Sequence, residues 1–232
     1  MKLSLVIPCF NESANLESLL SRCHEVGQGK EVEFIIVDNG STDNTGEVLG
    51  SLLQLYPSIK SIRLEENRGY GFGIVSGLQE ASGQILSWTH ADLQTDPMDA
   101  MIGLQLFLEH GQNLFVKGRR YGRPFSDVVF TVGMSLFETV LLRQGMWDIN
   151  AQPTMFPRTF FDSWQDPPND FSIDLYAYVM AARQGLVIKR FPVRFGERRH
   201  GISTWNVDWS SKFGFISRTI RYSLALGRRL QK

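Results

Sequence analysis

The sequence predicts an α/β domain in which a mostly parallel sheet is covered by helices on both faces. Three observations predict it. Short apolar runs alternate with stretches of helical spacing through the first half of the chain. The first run has the pattern of a buried strand. Polar clusters follow the second and fourth runs, and in such sheets ligands sit at the carboxyl ends of the strands.

Each element has its own signal. Residues 3–8 form the first buried-strand pattern. Residues 11–23 have helical spacing, with Leu16, Leu19, Leu20 and Cys23 on one face and Asn11 or Ser13 as candidate caps. Residues 33–37 are a second apolar strand. Residues 41–55 read as a helix opened by Ser41, Thr42 and Asp43. A third strand covers 59–64, a helix 73–81 and a fourth strand 84–89. Pro97 sits in the first turn of a helix over 97–111, and 114–117 is a fifth strand. The second half is less regular. It offers an apolar helix over 127–143, a helix over 173–184 ended by Gly185, a strand over 186–195 and a basic amphipathic helix over 210–230. The segment 165–169, with Pro167 and Pro168, reads as a loop, so we expect one catalytic unit over 1–209 followed by the helix of 210–232.

Composition narrows the function. With 232 residues, 43% hydrophobic and 21% charged, a normal core is expected and bulk disorder is not. A formal net charge of zero argues against a general nucleic-acid binder. Charge is uneven, however, and from Lys212 onward every charged side chain is basic. Two cysteines, Cys9 and Cys23, give no disulfide framework and fit a reducing compartment. The opening residues lack the length and cleavage site of a signal peptide. No apolar stretch is expected to span a bilayer, because the closest, 128–142, carries Glu138.

Four clusters carry candidate chemistry. In 37–43, an apolar run delivers Asp38 into Asn39-Gly40-Ser41. Its carboxylate can accept hydrogen bonds from a nucleobase, or simply cap the turn and helix. In 90–94, His90, Asp92 and Gln94 alternate. In an extended segment they would face one divalent cation, Mg²⁺ or, with an imidazole present, Mn²⁺. The alternative is a polar turn. In 67–73, Arg68 and Gly69, Gly71 and Gly73 form either a loop offering N–H groups to a phosphate or a plain turn before a helix. In 117–122, Arg119 and Arg120 follow a strand and can grip phosphate in bidentate fashion, or form a solvated loop.

The order of these clusters is more specific than any one of them. Ile7-Pro8-Cys9-Phe10-Asn11-Glu12, Val37-Asp38-Asn39-Gly40-Ser41-Thr42-Asp43, Asn67-Arg68-Gly69-Tyr70-Gly71 and Ala91-Asp92-Leu93-Gln94-Thr95-Asp96-Pro97 together resemble glycosyltransferase family 2. The subgroup of closest resemblance is the dolichol- or polyprenyl-phosphate mannose synthases. The resemblance runs from residue 3 to about 205 and implies the A-type glycosyltransferase fold, a Rossmann-like unit. It also implies a nucleoside-diphosphate-sugar donor held by Pro8, Asn11, Glu12, Asp38, Arg68, Gly69, Ala91 and Ser203. Further, it implies a Mn²⁺ or Mg²⁺ site at His90, Asp92 and Gln94, and catalytic roles for Asp92, Arg120, Arg198 and Asp174. Arg198, Gly201 and Ser203 match a late loop that closes over donor and acceptor phosphates. Three departures stand out: His90 replaces the first aspartate of the metal motif, Asn39 replaces a second acid, and Thr204 stands where a lysine is common.

The resemblance implies inversion by one in-line displacement. A lipid-phosphate acceptor is already anionic and needs no strong base. A hydroxyl acceptor would call on Asp174 or Asp92. A hydroxyl-directed enzyme of the same fold and a non-catalytic nucleotide-sugar binder remain the competing readings. In the last helix, Phe213, Ile216, Ile220 and Leu224 make an apolar stripe among Lys212, Arg218, Arg221, Arg228 and Arg229. It suits peripheral contact with the inner face of the membrane from the cytoplasm, or packing on the protein's own core or on a second subunit. Phe130, Met134, Phe137 and Leu141 of the 127–143 helix either guide a prenyl chain or pack.

Overall fold

A computed structural model gives the architecture, and it describes residues 1–198 and 209–230. The elements in chain order are β1 (Leu3–Cys9), α1 (Ser13–Gly27), β2 (Val32–Asp38), α2 (Thr45–Leu53), β3 (Ile59–Arg63), α3 (Tyr70–Glu80), β4 (Ile85–Trp88) and α4 (Met98–His110). These are followed by β5 (Leu114–Tyr121), α5 (Phe125–Leu142), β6 (Thr154–Pro157), α6 (Arg158–Asp162), α7 (Ile173–Arg183), β7 (Val187–Arg194) and α8 (Trp209–Arg229).

One seven-stranded sheet carries the fold, in the order β3-β2-β1-β4-β6-β5-β7. β1 pairs in parallel with β2 and β4, β2 with β3, and β5 with β7, while β6 runs antiparallel between β4 and β5. The expected mostly parallel sheet is present, with one reversed strand that the sequence reading passed over. β6 is four residues long and enters through Pro153, so it carries too little pattern to stand out.

Strand alternation explains the two cores. In β1, Leu3, Leu5, Ile7 and Cys9 point to one face, where α1, α2 and α4 pack; Val6 points to the other. In β2, Phe34 and Ile36 join the first core, and Ile35 and Val37 the second. The second core is filled by α3, α6, α7 and Leu226 of α8. Because both faces are covered, these strands read as unbroken apolar runs.

The winding direction reverses between β1 and β4. From β1 the chain goes outward through β2 and β3, then returns on the opposite face through α3 to place β4 on the other side of β1. The carboxyl ends of β1 and β4 therefore open a crevice at a topological switch point.

Several expectations shift. Neither Asn11 nor Ser13 caps α1; the residue before the helix is Glu12, and no side chain makes the capping bond. α2 starts at Thr45 rather than Ser41, because 41–44 form a turn in which Asp43 accepts the Thr45 N–H at 2.9 Å. β5 continues through Arg119 and Arg120 to Tyr121, so the basic cluster is strand and not a solvated loop. α5 is eighteen residues long with a mean hydropathy of 1.6, enough by length and composition to cross a membrane, against the expectation that no stretch would qualify. Burial of α8 centres on Ser223 and Leu226, whereas Leu224 of the anticipated stripe is 43% exposed.

Candidate active site

The crevice is built from backbone turns that lock onto one another. After β1, Asn11 takes φ 55°, in the left-handed region that asparagine tolerates. Its Oδ1 accepts the Thr42 N–H at 2.9 Å, and its own N–H donates to Ser41 Oγ at 3.0 Å. The Glu12 N–H donates to Thr45 Oγ1 at 3.0 Å. The turn after β1 is thus clamped to the turn after β2. Asn11 acts as a brace in this clamp, its amide already committed.

Asp38 ends β2 and is fully buried. Its Oδ1 accepts the Ser41 N–H at 3.0 Å; Oδ2 makes no hydrogen bond among the described residues and has the Arg63 guanidinium at 3.6 Å. A buried carboxylate oxygen without a hydrogen-bond donor is costly unless something supplies one. Arg63 was not singled out in the sequence, since a lone arginine at the end of an edge strand looks solvated. Pro8 lies buried in β1 beside Val37 of β2.

Glu12 and Asp92 face each other across the crevice through Arg198. The guanidinium donates to Asp92 Oδ2 at 2.8 Å and to Glu12 Oε1 at 3.3 Å. Asp92 is 5% exposed, and its Oδ1 accepts the Gln94 N–H at 3.1 Å. Gln94 turns its amide to the Gly196 carbonyl at 3.1 Å, while the Gly196 N–H returns a 2.8 Å bond to the Gln94 carbonyl. Burial pushes the Glu12 carboxyl above its usual range, partly opposed by Asn15 and Arg198. Ala91 is a core side chain, so only its backbone can serve a ligand.

The metal motif is not extended. Leu93 takes φ 56°, so residues 90–94 bend and the simple alternation fails. His90 instead joins a stack: its ring lies 5.5 Å from that of Tyr70, which lies 4.7 Å from Phe171. Nδ1 of His90 is 3.3 Å from the Tyr70 hydroxyl. Burial lowers the His90 pKa, with Asp92 and Asp174 pulling the other way and Arg120 and Arg198 reinforcing the fall. Burial thus favours the neutral imidazole that a metal ligand requires. No cage of three His, Cys, Asp or Glu exists among the described residues. The site nevertheless fits a divalent cation on a different observation: a cationic guanidinium already sits between the Asp92 and Glu12 carboxylates.

Other anticipated residues have different partners. Arg120 donates to Asp148 through its backbone N–H at 3.1 Å and through Nε at 2.9 Å, with a further bond from its terminal nitrogen. Burial alone would raise the Asp148 pKa, but the Arg120 contacts outweigh it and hold the carboxyl low. Asp174 is buried and accepts from Lys117 Nζ at 3.1 Å and Gln152 Nε2 at 3.0 Å. That environment makes it the partner of a buried ammonium rather than a free base. Burial pulls the Lys117 pKa down to about 8, against the opposing pull of Asp174. Lys117, overlooked as a charge-run residue, had a signal: it is the one charge in the apolar stretch 114–117.

The glycine segment is not a phosphate loop. Tyr70 to Gly73 form the first turn of α3. A Cβ on Gly69 would lie 2.3 Å from the Asn169 carbonyl oxygen, and one on Gly71 2.2 Å from that of Pro168. These glycines let α3 approach the 168–170 backbone, where the Phe72 N–H bonds the Asn169 carbonyl at 3.0 Å. Arg68 lies over the Phe72 ring at 4.2 Å. Gly201, Ser203 and Thr204 lie outside the described residues.

Residues 4–163 match the sequence model of Glycosyl transferase family 2. A dolichol-phosphate mannosyltransferase of Pyrococcus furiosus is 36% identical over 121 residues, 52% of this chain and 34% of that protein. One of Mycosarcoma maydis is 34% identical over 125 residues, 51% of this chain and 42% of that protein. The matched region thus spans well under half the length of these relatives. Among solved structures, glucosyl-3-phosphoglycerate synthase of Mycobacterium tuberculosis, in complex with Mn²⁺, UDP and phosphoglyceric acid, superposes with TM-score 0.74 at 18% identity, covering 97% of this chain and 78% of that one. A mannosyltransferase of Pyrobaculum calidifontis in complex with GDP-Man and Mn²⁺ gives TM-score 0.65 at 19% identity, covering 86% and 58%. The fold is that of A-type glycosyltransferases. With well over half of its length inside the family's sequence pattern, the chain belongs to glycosyl transferase family 2.

Proposed function

We propose that this chain transfers a sugar, with inversion, from a nucleoside-diphosphate sugar to a polyprenyl- or dolichyl-phosphate acceptor, assisted by Mn²⁺ or Mg²⁺. The observation that carries the reading is the crevice between β1 and β4. There the Arg198 guanidinium joins Glu12 to Asp92, and the turn that carries Glu12 is clamped to the turn that follows Asp38, with His90 in electrostatic reach of Asp92, Asp174, Arg120 and Arg198. In this reading Asp38 receives a base N–H on Oδ2, which has the Arg63 guanidinium at 3.6 Å and no hydrogen-bond donor among the described residues, and Asp92 and His90 would hold the cation. When bound there, a divalent cation would supply charge neutralisation for the departing diphosphate, and Arg198 would pair with a phosphate oxygen.

The acceptor class is supported from two sides. The two relatives described above are named dolichol-phosphate mannosyltransferases. Of the two suspected bases for a hydroxyl acceptor, Asp174 is buried against Lys117 and Asp92 is paired with Arg198, while an anionic phosphate acceptor needs no such base. Beyond Arg120 and Arg123, α5 exposes Phe125, Val129, Leu136 and Val140, and α8 carries Arg218, Arg221 and Arg228 on its exposed side. We take α5 as the surface that meets the inner leaflet from the cytoplasmic side, with α8 its basic neighbour in the same catalytic unit.

The test is transfer of radiolabelled mannose from GDP-mannose, or glucose from UDP-glucose, into organic-extractable product on vesicles containing polyprenyl phosphate. Metal-dependent label in the lipid phase is expected, falling about 100- to 1,000-fold in Asp92→Ala. Label transferred only to a saccharide would select the hydroxyl-acceptor reading. Tight donor binding without turnover would select a non-catalytic binder.

A further inference from the structure

We infer that Arg198 is a built-in occupant of the cation position, which a divalent metal must displace from Asp92 and Glu12, so that metal and nucleotide bind as a coupled pair. The inference rests on the donor site proposed above.

Three features of the crevice carry it. First, the guanidinium spans two carboxylates from opposite lips, Asp92 on the β4 side and Glu12 on the β1 side, at 2.8 and 3.3 Å. Second, the segment that carries it is tied down two residues earlier, at Gly196. The paired bonds between Gln94 and Gly196 tie the segment leading out of β7 to the metal motif, so the side chain can move without the strand moving. Third, the side chain is only partly satisfied. Nε of Arg198 is buried without a hydrogen-bond partner among the described residues, and the side chain is 24% exposed toward the opening. A guanidinium so placed has another arrangement within reach.

Charge counting gives the coupling its sign. Two carboxylates and one guanidinium leave a net charge of −1. A divalent ion added beside the guanidinium makes the cluster +1 in a half-buried crevice, so the ion alone must evict the arginine and lose its ion pairs. A nucleoside diphosphate brings at least two further negative charges. With both bound, Asp92 and His90 would hold the metal, Glu12 would lie beside it, and the guanidinium would pair with phosphate oxygens, so that both cations keep partners. Metal binding is therefore weak without nucleotide and tight with it, and the reverse holds for nucleotide.

The experiment measures free Mn²⁺ by electron paramagnetic resonance during titration of the full chain, alone and with GDP or UDP. The proteins are wild type, Arg198→Gln and Arg198→Lys, each checked for an unchanged melting temperature. Arg198→Gln should bind Mn²⁺ alone about tenfold tighter than wild type and lose most of the nucleotide-dependent gain. Arg198→Lys, which keeps the charge, should stay near wild type. Equal Mn²⁺ affinity in wild type and Arg198→Gln, with nucleotide still promoting Mn²⁺ binding in both, would overturn the role of Arg198 and leave the donor site standing. No Mn²⁺ binding by any of the three, with or without either nucleotide, would remove the donor site and this inference together.

Discussion

Helices α5 and α7 are both apolar, yet they are buried in opposite senses. α7 is buried on nearly every side: Ile173, Leu175, Tyr176, Ala177, Val179 and Ala181 all lie in the second core, and even its acid, Asp174, is enclosed. α5 is longer and more hydrophobic, but only Ser135 and Glu138 are buried. Phe125 is 83% exposed and Val140 70%. The difference lies in what each helix packs on. α7 is pressed against the sheet. α5 meets α8 and the 146–149 segment through polar contacts: Ser223 Oγ donates to Glu138 at 2.7 Å, and the Asp148 N–H donates to Ser135 Oγ at 3.1 Å. Hydrophobicity does not decide which face a helix buries; the available neighbour does.

Three experiments can break or sharpen that contrast. The largest effect is expected from Asp174→Ala, which strands the Lys117 ammonium in the core and should cost about 3–5 kcal/mol in chemical denaturation. Replacing both members, Lys117→Met with Asp174→Leu, should recover most of that loss. A small effect of the single change would mean that the α7 interior is wetter than its burial implies.

The second concerns the polar seam of α5. Burial pushes the Glu138 carboxyl up to about 7, with the Ser223 hydrogen bond opposing. The folded state thus holds a proton that the unfolded chain releases near the usual glutamate range. The stability it contributes is fully present at pH 4 and is lost as pH rises through about 7. Glu138→Gln should match wild type near pH 5 and exceed it on the order of 2 kcal/mol at pH 8. Denaturation curves at the two pH values check this, and parallel curves would mean that the α5–α8 seam is solvated.

The smallest effect on stability is expected on the outer face of α5. Leu136→Ser with Val140→Ser should change unfolding free energy by no more than about 0.5 kcal/mol. The same pair should weaken co-sedimentation with anionic vesicles about tenfold. Loss of several kcal/mol of stability instead would place that face inside a contact of the folded protein and end the comparison with α7.

The first half of the chain was legible because strand, turn and helix there obey local rules. Asp38 ends β2, and Asp92 lies in the turn that follows β4, both on the side where the apolar runs stop. The second half was harder to read. β6 is too short to register, and the reach of β5 to Tyr121 was hidden by Gly118 and two arginines. The glycines at 69 and 71 looked like a phosphate loop because a sequence cannot say that the backbone of 168–170, a hundred residues on, presses against them. The pairing of Asp174 with Lys117 was invisible for the same reason: the two are 57 residues apart.

By itself the sequence determined the alternating architecture, the placement of acids at the carboxyl ends of strands and the family likeness, since these follow from periodicity and from short ordered motifs. Only the tertiary structure decided which charges meet. It seated Arg198 between Glu12 and Asp92, paired Arg120 with Asp148 and closed Lys117 on Asp174. An ion pair depends on separations of a few ångströms between residues far apart in the chain. Those separations are set by sheet order and helix packing, which no local pattern encodes.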